Sequence, residues 1–121
     1  MAKTVLVIDD NADFLRLVEL LLQKAGYEVR LAENALRASE LLEQELPDAI
    51  LLDIMMPVRS GLELLENLRW DSRFDKVPVI VITAMPLTAE EREFIDTFAV
   101  ACLDKARTVE VVDHLHTLLA E

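Results

Sequence analysis

Cysteine is nearly absent: Cys102 stands alone in 121 residues, so no disulfide within the chain can hold the fold. A lone thiol fits a reducing compartment. No apolar run approaches the roughly 18 residues of a membrane span, and the opening Met-Ala-Lys-Thr leads straight into a strand pattern rather than a signal peptide. Basic residues are scarce as well, with 12 Lys and Arg against 23 Asp and Glu and a formal charge of −11. Nucleic-acid binding needs clustered cations against phosphate, and this balance argues against it. The two histidines, His114 and His116, are two apart on a helical stretch and point to different sides, which makes them poor metal ligands. Internal repeats, low-complexity segments and linkers are also missing. The expectation is one soluble cytoplasmic domain over 1–121, long enough to bury about two thirds of its unfolded surface without disulfides or structural metal.

What is present is organised around Asp48-Ala49-Ile50-Leu51-Leu52-Asp53, followed by Ile54-Met55-Met56-Pro57 and Gly61. A four-residue apolar run between two aspartates suits a strand covered on both faces, delivering Asp53 at its carboxyl end. Before it, Thr4–Ile8 is an apolar β-branched run ending at Asp9-Asp10. A helix is predicted over 11–25, with Phe14, Leu17, Val18, Leu21 and Ala25 at its spacing and Gly26 as its stop. Residues 27–31 alternate as a half-covered edge strand does. Asn34 caps a second helix with Ala35, Ala38, Leu41, Leu42 and Leu46 inward, and Pro47 ends it.

Ser60-Gly61-Leu62-Glu63 is a capping-box pattern that starts a third helix near Gly61, with Leu64, Leu65 and Leu68 inward and Trp70 packing near its end. A fourth strand is predicted over 77–84, entered at Pro78 and closed by Thr83. Thr88 opens a capping box for a helix carrying Glu91, Phe94, Ile95 and Phe98 along one side. A short strand over 100–103 leads to Asp104-Lys105, and Thr108 is placed to cap a last helix with Val112, Leu115 and Leu119 on one face. Strands alternating with helices predict an α/β parallel sheet of five strands with five helices and right-handed crossovers, and the half-covered second strand belongs outside the first, as in a flavodoxin-like doubly wound sheet of order 2-1-3-4-5.

In that order Asp9-Asp10, Asp53, Thr83 and Lys105 share one sheet edge, and the three carboxylates meet at the topological switch point. Two like charges about 4 Å apart repel by roughly 4 kcal/mol at an effective dielectric near 20, so the cluster should take up protons or bind a cation. Oxygen donors without histidine favour Mg²⁺ or Mn²⁺. A carboxylate beside such an ion can attack a phosphoryl group. On this reading Asp53 is the nucleophile, Asp9 and Asp10 hold the metal, Lys105 pairs with the phosphoryl oxygens and Thr83 donates a hydroxyl hydrogen bond. The ordinary alternatives are that Asp10 or Asn11 caps the first helix, that Thr83 is a plain strand residue and that Lys105 is a surface lysine.

Val7-Ile8-Asp9-Asp10, Asp53-Ile54-Met55-Met56-Pro57 with Gly61, Val81-Ile82-Thr83-Ala84 and Leu103-Asp104-Lys105 together resemble the receiver domain of two-component response regulators, over essentially the whole chain. The resemblance implies that Asp53 accepts a phosphoryl group from a histidine kinase or phosphotransfer protein, and that Asp10, Asp53 and the Met55 backbone carbonyl ligate Mg²⁺ while Asp9 acts largely through water. It implies a phosphoacceptor that promotes its own phosphorylation and dephosphorylation rather than an enzyme. A downstream protein or a missing output domain would read the switch, and a homodimer through the fourth and fifth helices is compatible with it.

The chain departs from the family at Cys102, where a tyrosine or phenylalanine is usual, at Ala106 in place of proline, and at Phe98 in place of a helix-ending glycine. These departures keep open a second reading, a pseudo-receiver that binds proteins without phosphorylation. A phosphatase of the haloacid dehalogenase type would carry an aspartate where Met55 stands, and acids at the switch point would repel a flavin phosphate. Met55 and Met85, two residues past Asp53 and Thr83, are expected to flank the phosphoryl group and slow its hydrolysis. Cys102 is expected in the core rather than as a redox sensor.

Overall fold

The computed structural model describes residues 2–55, 61–84 and 86–120. Strands β1 (Thr4–Ile8), β2 (Glu28–Ala32), β3 (Ala49–Asp53), β4 (Val79–Thr83) and β5 (Ala101–Asp104) alternate with helices α1 (Ala12–Lys24), α2 (Ala35–Gln44), α3 (Gly61–Trp70), α4 (Ala89–Phe98) and α5 (Val109–Leu119). The strands form one parallel sheet in the order β2-β1-β3-β4-β5, as the sequence predicts. Strand ends lie within a residue or two of expectation, because the flanking Val77, Pro78, Ala84 and Val100 stay outside the ladders.

Alternation along the strands divides the core into two layers. Leu6, Ile8, Ile50, Leu52, Val79 and Val81 face Ala38, Leu41, Leu65, Leu68 and Ile95 of α2, α3 and α4. Val5, Val7, Ala49, Leu51, Ile80 and Ile82 face Leu15, Val18, Leu22, Val111 and Leu115 of α1 and α5. Strands β1, β3 and β4 are buried throughout, whereas β2 is half-covered at the edge. Burying one aliphatic side chain contributes about 1.5–3 kcal/mol, so both layers hold the strand ends in place.

Local chemistry sets the helix ends. Asn11 Oδ1 accepts from the Phe14 N–H at 2.9 Å and Asn34 Oδ1 from the Arg37 N–H at 2.7 Å. Thr88 and Glu91 form a reciprocal capping box on α4. Gly26 follows α1 at φ +98°, a conformation that a side chain disfavours. Helix α4 ends without a left-handed residue: after Phe98 the chain turns extended at Ala99, whose N–H still reaches the Ile95 carbonyl at 2.7 Å. Arg69 donates to the carbonyls of Asp75 and Val77, at 2.9 and 2.6 Å, and fastens the loop that feeds β4.

Several side-chain expectations are corrected. Leu17 of α1 is half exposed, and Leu15 and Leu22 take the buried places beside Val18. Leu46 lies past the end of α2 and is exposed, while Trp70 is 74% exposed and meets Phe98 edge-on, with ring centroids 6.2 Å apart. Thr108 does not cap α5. A 3₁₀ turn over Lys105–Arg107 precedes it, so Thr108 is already helical and its Oγ1 donates back to the Lys105 carbonyl at 2.5 Å. Ser60, of the capping box expected at the start of the third helix, lies outside the described residues.

Candidate functional site

The carboxyl edge of the sheet gathers the polar residues that interrupt the strands. Asp9 follows β1 and is fully buried, Asp53 ends β3 at 4% exposure, and Thr83 ends β4 at 7% exposure. Asp10 is exposed, and Lys105 opens the 3₁₀ turn after β5. One carboxylate oxygen from each of Asp9, Asp10 and Asp53 lies within 4.8 Å of the others. Two adjacent strands deliver these groups because β1 and β3 pair at the switch point, with Ile8 opposite Leu52.

The backbone aims each carboxylate. Asp9 Oδ1 accepts from the Asn11 N–H at 2.8 Å, and Asp53 Oδ1 from the Met55 N–H at 3.0 Å. In both cases the second oxygen turns to the centre of the cluster. There Lys105 Nζ lies 2.7 Å from Asp9 Oδ2 and 3.5 Å from Asp53 Oδ2. Close packing at Gly61 completes the arrangement. Its N–H donates to the Ile54 carbonyl at 3.1 Å, and a Cβ at this position would collide with Ile54 Cα and the Asp53 carbonyl oxygen. Helix α3 can therefore start against the backbone that carries Asp53 only with glycine at its first position.

Charge at the site is out of balance. Burial pushes the Asp9 carboxyl pKa up and the Asp53 charge adds to this, while Lys105 and the Asn11 N–H oppose it. Burial draws Lys105 down, but its contacts with Asp9 and Asp53 outweigh that and raise it. One ammonium thus faces three carboxylates. Asp9 Oδ2 is buried without a well-aligned hydrogen bond, and Lys105 reaches it only as an ion pair. Oxygen donors and excess negative charge suit a hard divalent cation, and the cluster could hold one.

The structure therefore brings together Asp9, Asp10, Asp53 and Lys105, with Thr83 at the same sheet edge. Asn11 caps α1, which removes capping as the explanation of Asp10. Met55 is half exposed, and Met85 lies outside the described residues. The Lys105–Ala106 peptide is trans. Cys102 is half-buried rather than fully within the core and lines an open cleft of about 640 Å³ with Thr83, Leu87 and Arg92. Sequence reasoning missed Phe14 as part of the site. Its ring centroid is 4.5 Å from Lys105 Nζ, a contact that no motif announces because it joins α1 to the turn after β5.

Among the described residues, no helix is long and apolar enough to cross a membrane. Residues 5–116 match the family model of the response regulator receiver domain. The polar-differentiation response regulator DivK of Brucella anthropi is 36% identical over 91 residues, covering 75% of this chain and 74% of that protein. The phosphate regulon transcriptional regulatory protein PhoB of Pseudomonas aeruginosa is 39% identical over 84 residues, 69% of this chain but only 37% of PhoB, so the match spans little more than a third of that protein. Among solved structures, chemotaxis protein CheY4 of Vibrio cholerae superposes with a TM-score of 0.88 at 26% identity, covering 98% of this chain and 99% of that one. The N-terminal domain of a response regulator receiver protein from Methanoculleus marisnigri gives 0.81 at 30% identity, over 100% and 99%. On sequence, sheet order and overall superposition, the chain belongs to the receiver domains of two-component response regulators.

Proposed function

We propose that residues 1–121 act as one receiver domain in the cytoplasm, accepting a phosphoryl group on Asp53 from a histidine kinase or phosphotransfer protein and switching an output surface in response. The observation that carries this reading is one ammonium within 3.5 Å of two buried carboxylates, in a cluster whose third carboxylate is exposed. Exposed Asp10 leaves the cluster open to a cation and a donor, while buried Asp53 is held in one orientation by the Met55 N–H.

Asp10, Asp53 and the Met55 carbonyl would hold Mg²⁺ or Mn²⁺, with Asp9 acting largely through water. Bound there, the cation offsets the negative charge of carboxylates and phosphoryl oxygens. Asp53 then attacks phosphorus through a carboxylate oxygen. An O–P bond forms as the donor's N–P bond breaks, and the departing imidazole nitrogen keeps the electron pair and takes up a proton. Lys105 leaves Asp9 to pair with a phosphoryl oxygen, and Thr83 donates its hydroxyl to another. The same groups serve the later hydrolysis, in which water attacks phosphorus, the Asp53 O–P bond breaks and inorganic phosphate leaves with the water's proton passing to solvent, so the domain promotes its own phosphorylation and dephosphorylation without being a classical enzyme.

The output passes to a downstream protein or to an output domain of a longer regulator, not to nucleic acid through this acidic domain. Homodimerisation through α4 and α5 is one form that output can take. Intact mass after incubation with acetyl phosphate, with and without Mg²⁺, tests the chemistry on the native chain and on Asp53→Asn. A Mg²⁺-dependent gain of one phosphoryl group, lost in Asp53→Asn, is expected. No gain in the folded native chain would leave a pseudo-receiver that binds partners unmodified.

A further inference from the structure

Lys105 reaches the carboxylates from the far side of the sheet. β4 and β3 stand between edge strand β5 and β1, so the turn after β5 and the extended Lys105 side chain together carry the ammonium to Asp9. Two of the contacts that hold its ammonium are ionic, to Asp9 and Asp53. The third is the face of Phe14. The ring and the Asp9 carboxylate are placed by the same turn: Asp9 Oδ1 accepts from the Asn11 N–H, and Asn11 Oδ1 accepts from the Phe14 N–H. Packing against the α1 and α5 side of the core then fixes the ring itself.

These contacts respond differently to a divalent cation. A cation held by the carboxylates takes up the charge that attracts Lys105, so both ion pairs weaken together. The attraction of an ammonium for an aromatic face comes from the ring quadrupole and needs no free carboxylate. We infer that Phe14 is a positioning residue for Lys105, keeping the ammonium over the carboxylate cluster after a cation has loosened its ion pairs. Its consequence for phosphorylation rate rests on the function proposed above; its consequence for the position of Lys105 does not.

Both consequences are measurable on the whole chain. A lysine methylene next to an aromatic face is shifted upfield by the ring current, so the Lys105 Cε protons are followed by NMR in the native chain, Phe14→Leu and Phe14→Tyr, without and with saturating Mg²⁺. An upfield shift that persists in Mg²⁺, survives in Phe14→Tyr and vanishes in a folded Phe14→Leu is expected. In parallel, Phe14→Leu should slow phosphorylation by acetyl phosphate about two- to fivefold, Phe14→Tyr should restore it, and Phe14→Leu should add nothing in a Lys105→Ala background. Absence of the ring-current shift, its loss on adding Mg²⁺, or independent multiplication of the Phe14 and Lys105 effects overturns the inference. If the native chain takes up no phosphoryl group, the proposed function fails and the ring-current shift alone decides the role of Phe14.

Discussion

Lys105 lies nearer to Asp9 than to Asp53: its Nζ is 2.7 Å from Asp9 Oδ2 and 3.5 Å from Asp53 Oδ2. The lysine thus leans toward Asp9 rather than toward Asp53. It occupies by charge the place a cation would fill. Lys105→Ala should therefore bind Mg²⁺ about tenfold more tightly than the native chain, since removing a positive charge a few ångströms away relieves repulsion of at least about 1.4 kcal/mol. On the proposed function the same variant should also accept phosphoryl groups more slowly, because Lys105 is the group proposed to pair with the transferred oxygens. Calorimetric titration with Mg²⁺ separates the effects; weaker metal binding in Lys105→Ala would contradict the competition.

The surplus of carboxylates has a cost in the metal-free fold. Asp53→Asn removes one charge from a cluster in which burial and the Asp53 charge both push the Asp9 carboxyl up. In buffer containing a chelator the variant should melt higher than the native chain, by about 4 °C for a gain of about 1 kcal/mol. Mg²⁺ should raise the native melting temperature more than that of the variant, because binding to the folded state stabilises it by mass action. Equal melting temperatures in chelator would mean that Lys105 already balances the cluster.

Two glycines separate the effects of space and backbone conformation. At Gly61 an added Cβ meets the Ile54 and Asp53 backbone, whereas at Gly26 nothing lies within 4 Å but φ is +98°. Gly61→Ala should destabilise by about 3 kcal/mol through overpacking that no side-chain rotation relieves. Gly26→Ala should cost only about 1–2 kcal/mol, the penalty of left-handed backbone. Urea unfolding of both measures the difference. Gly61→Ala should also shift Asp53 and impair metal binding, which Gly26→Ala should leave intact.

Strands and sheet order were legible because β1, β3 and β4 are uninterrupted apolar runs of five or fewer residues, each closed by a polar one. That pattern also put Asp9, Asp10, Asp53, Thr83 and Lys105 on one edge. The inward face of α1 was legible only in part: Val18 is buried and Phe14 packs against the core as expected, but Leu17 does not. Phe14, Leu15, Leu17, Val18, Leu20, Leu21 and Leu22 nearly encircle the helix, so spacing alone cannot choose Leu15 and Leu22 over Leu17. Spacing alone extends α2 to Leu46, although the helix ends at Gln44. Thr108 resembles a cap in the sequence because the 3₁₀ turn before it leaves no apolar pattern; Asp104, whose Oδ1 accepts from the Ala106 N–H at 2.8 Å, takes the capping role for that turn. Contacts such as Lys105 on Phe14 belong to the tertiary arrangement.

Cys102 provides a pH-dependent test of the cleft beside Thr83. Burial raises its thiol pKa above the ordinary 9.0, Arg92 draws it back and Asp96 adds to the rise. The folded chain therefore holds the thiol proton to higher pH than the unfolded chain does. The stability linked to this group is complete below the unfolded pKa and is lost as pH rises through the folded one. Because only the thiolate alkylates, iodoacetamide at pH 8.5 should modify the native chain several-fold more slowly than the urea-unfolded chain. The native rate should still be climbing at a pH where the unfolded rate has levelled off. A native rate that levels at the same pH as the unfolded one, merely scaled down, would show that access rather than ionisation limits Cys102. In that case closing the cleft, not titrating the thiol, would govern its reactivity.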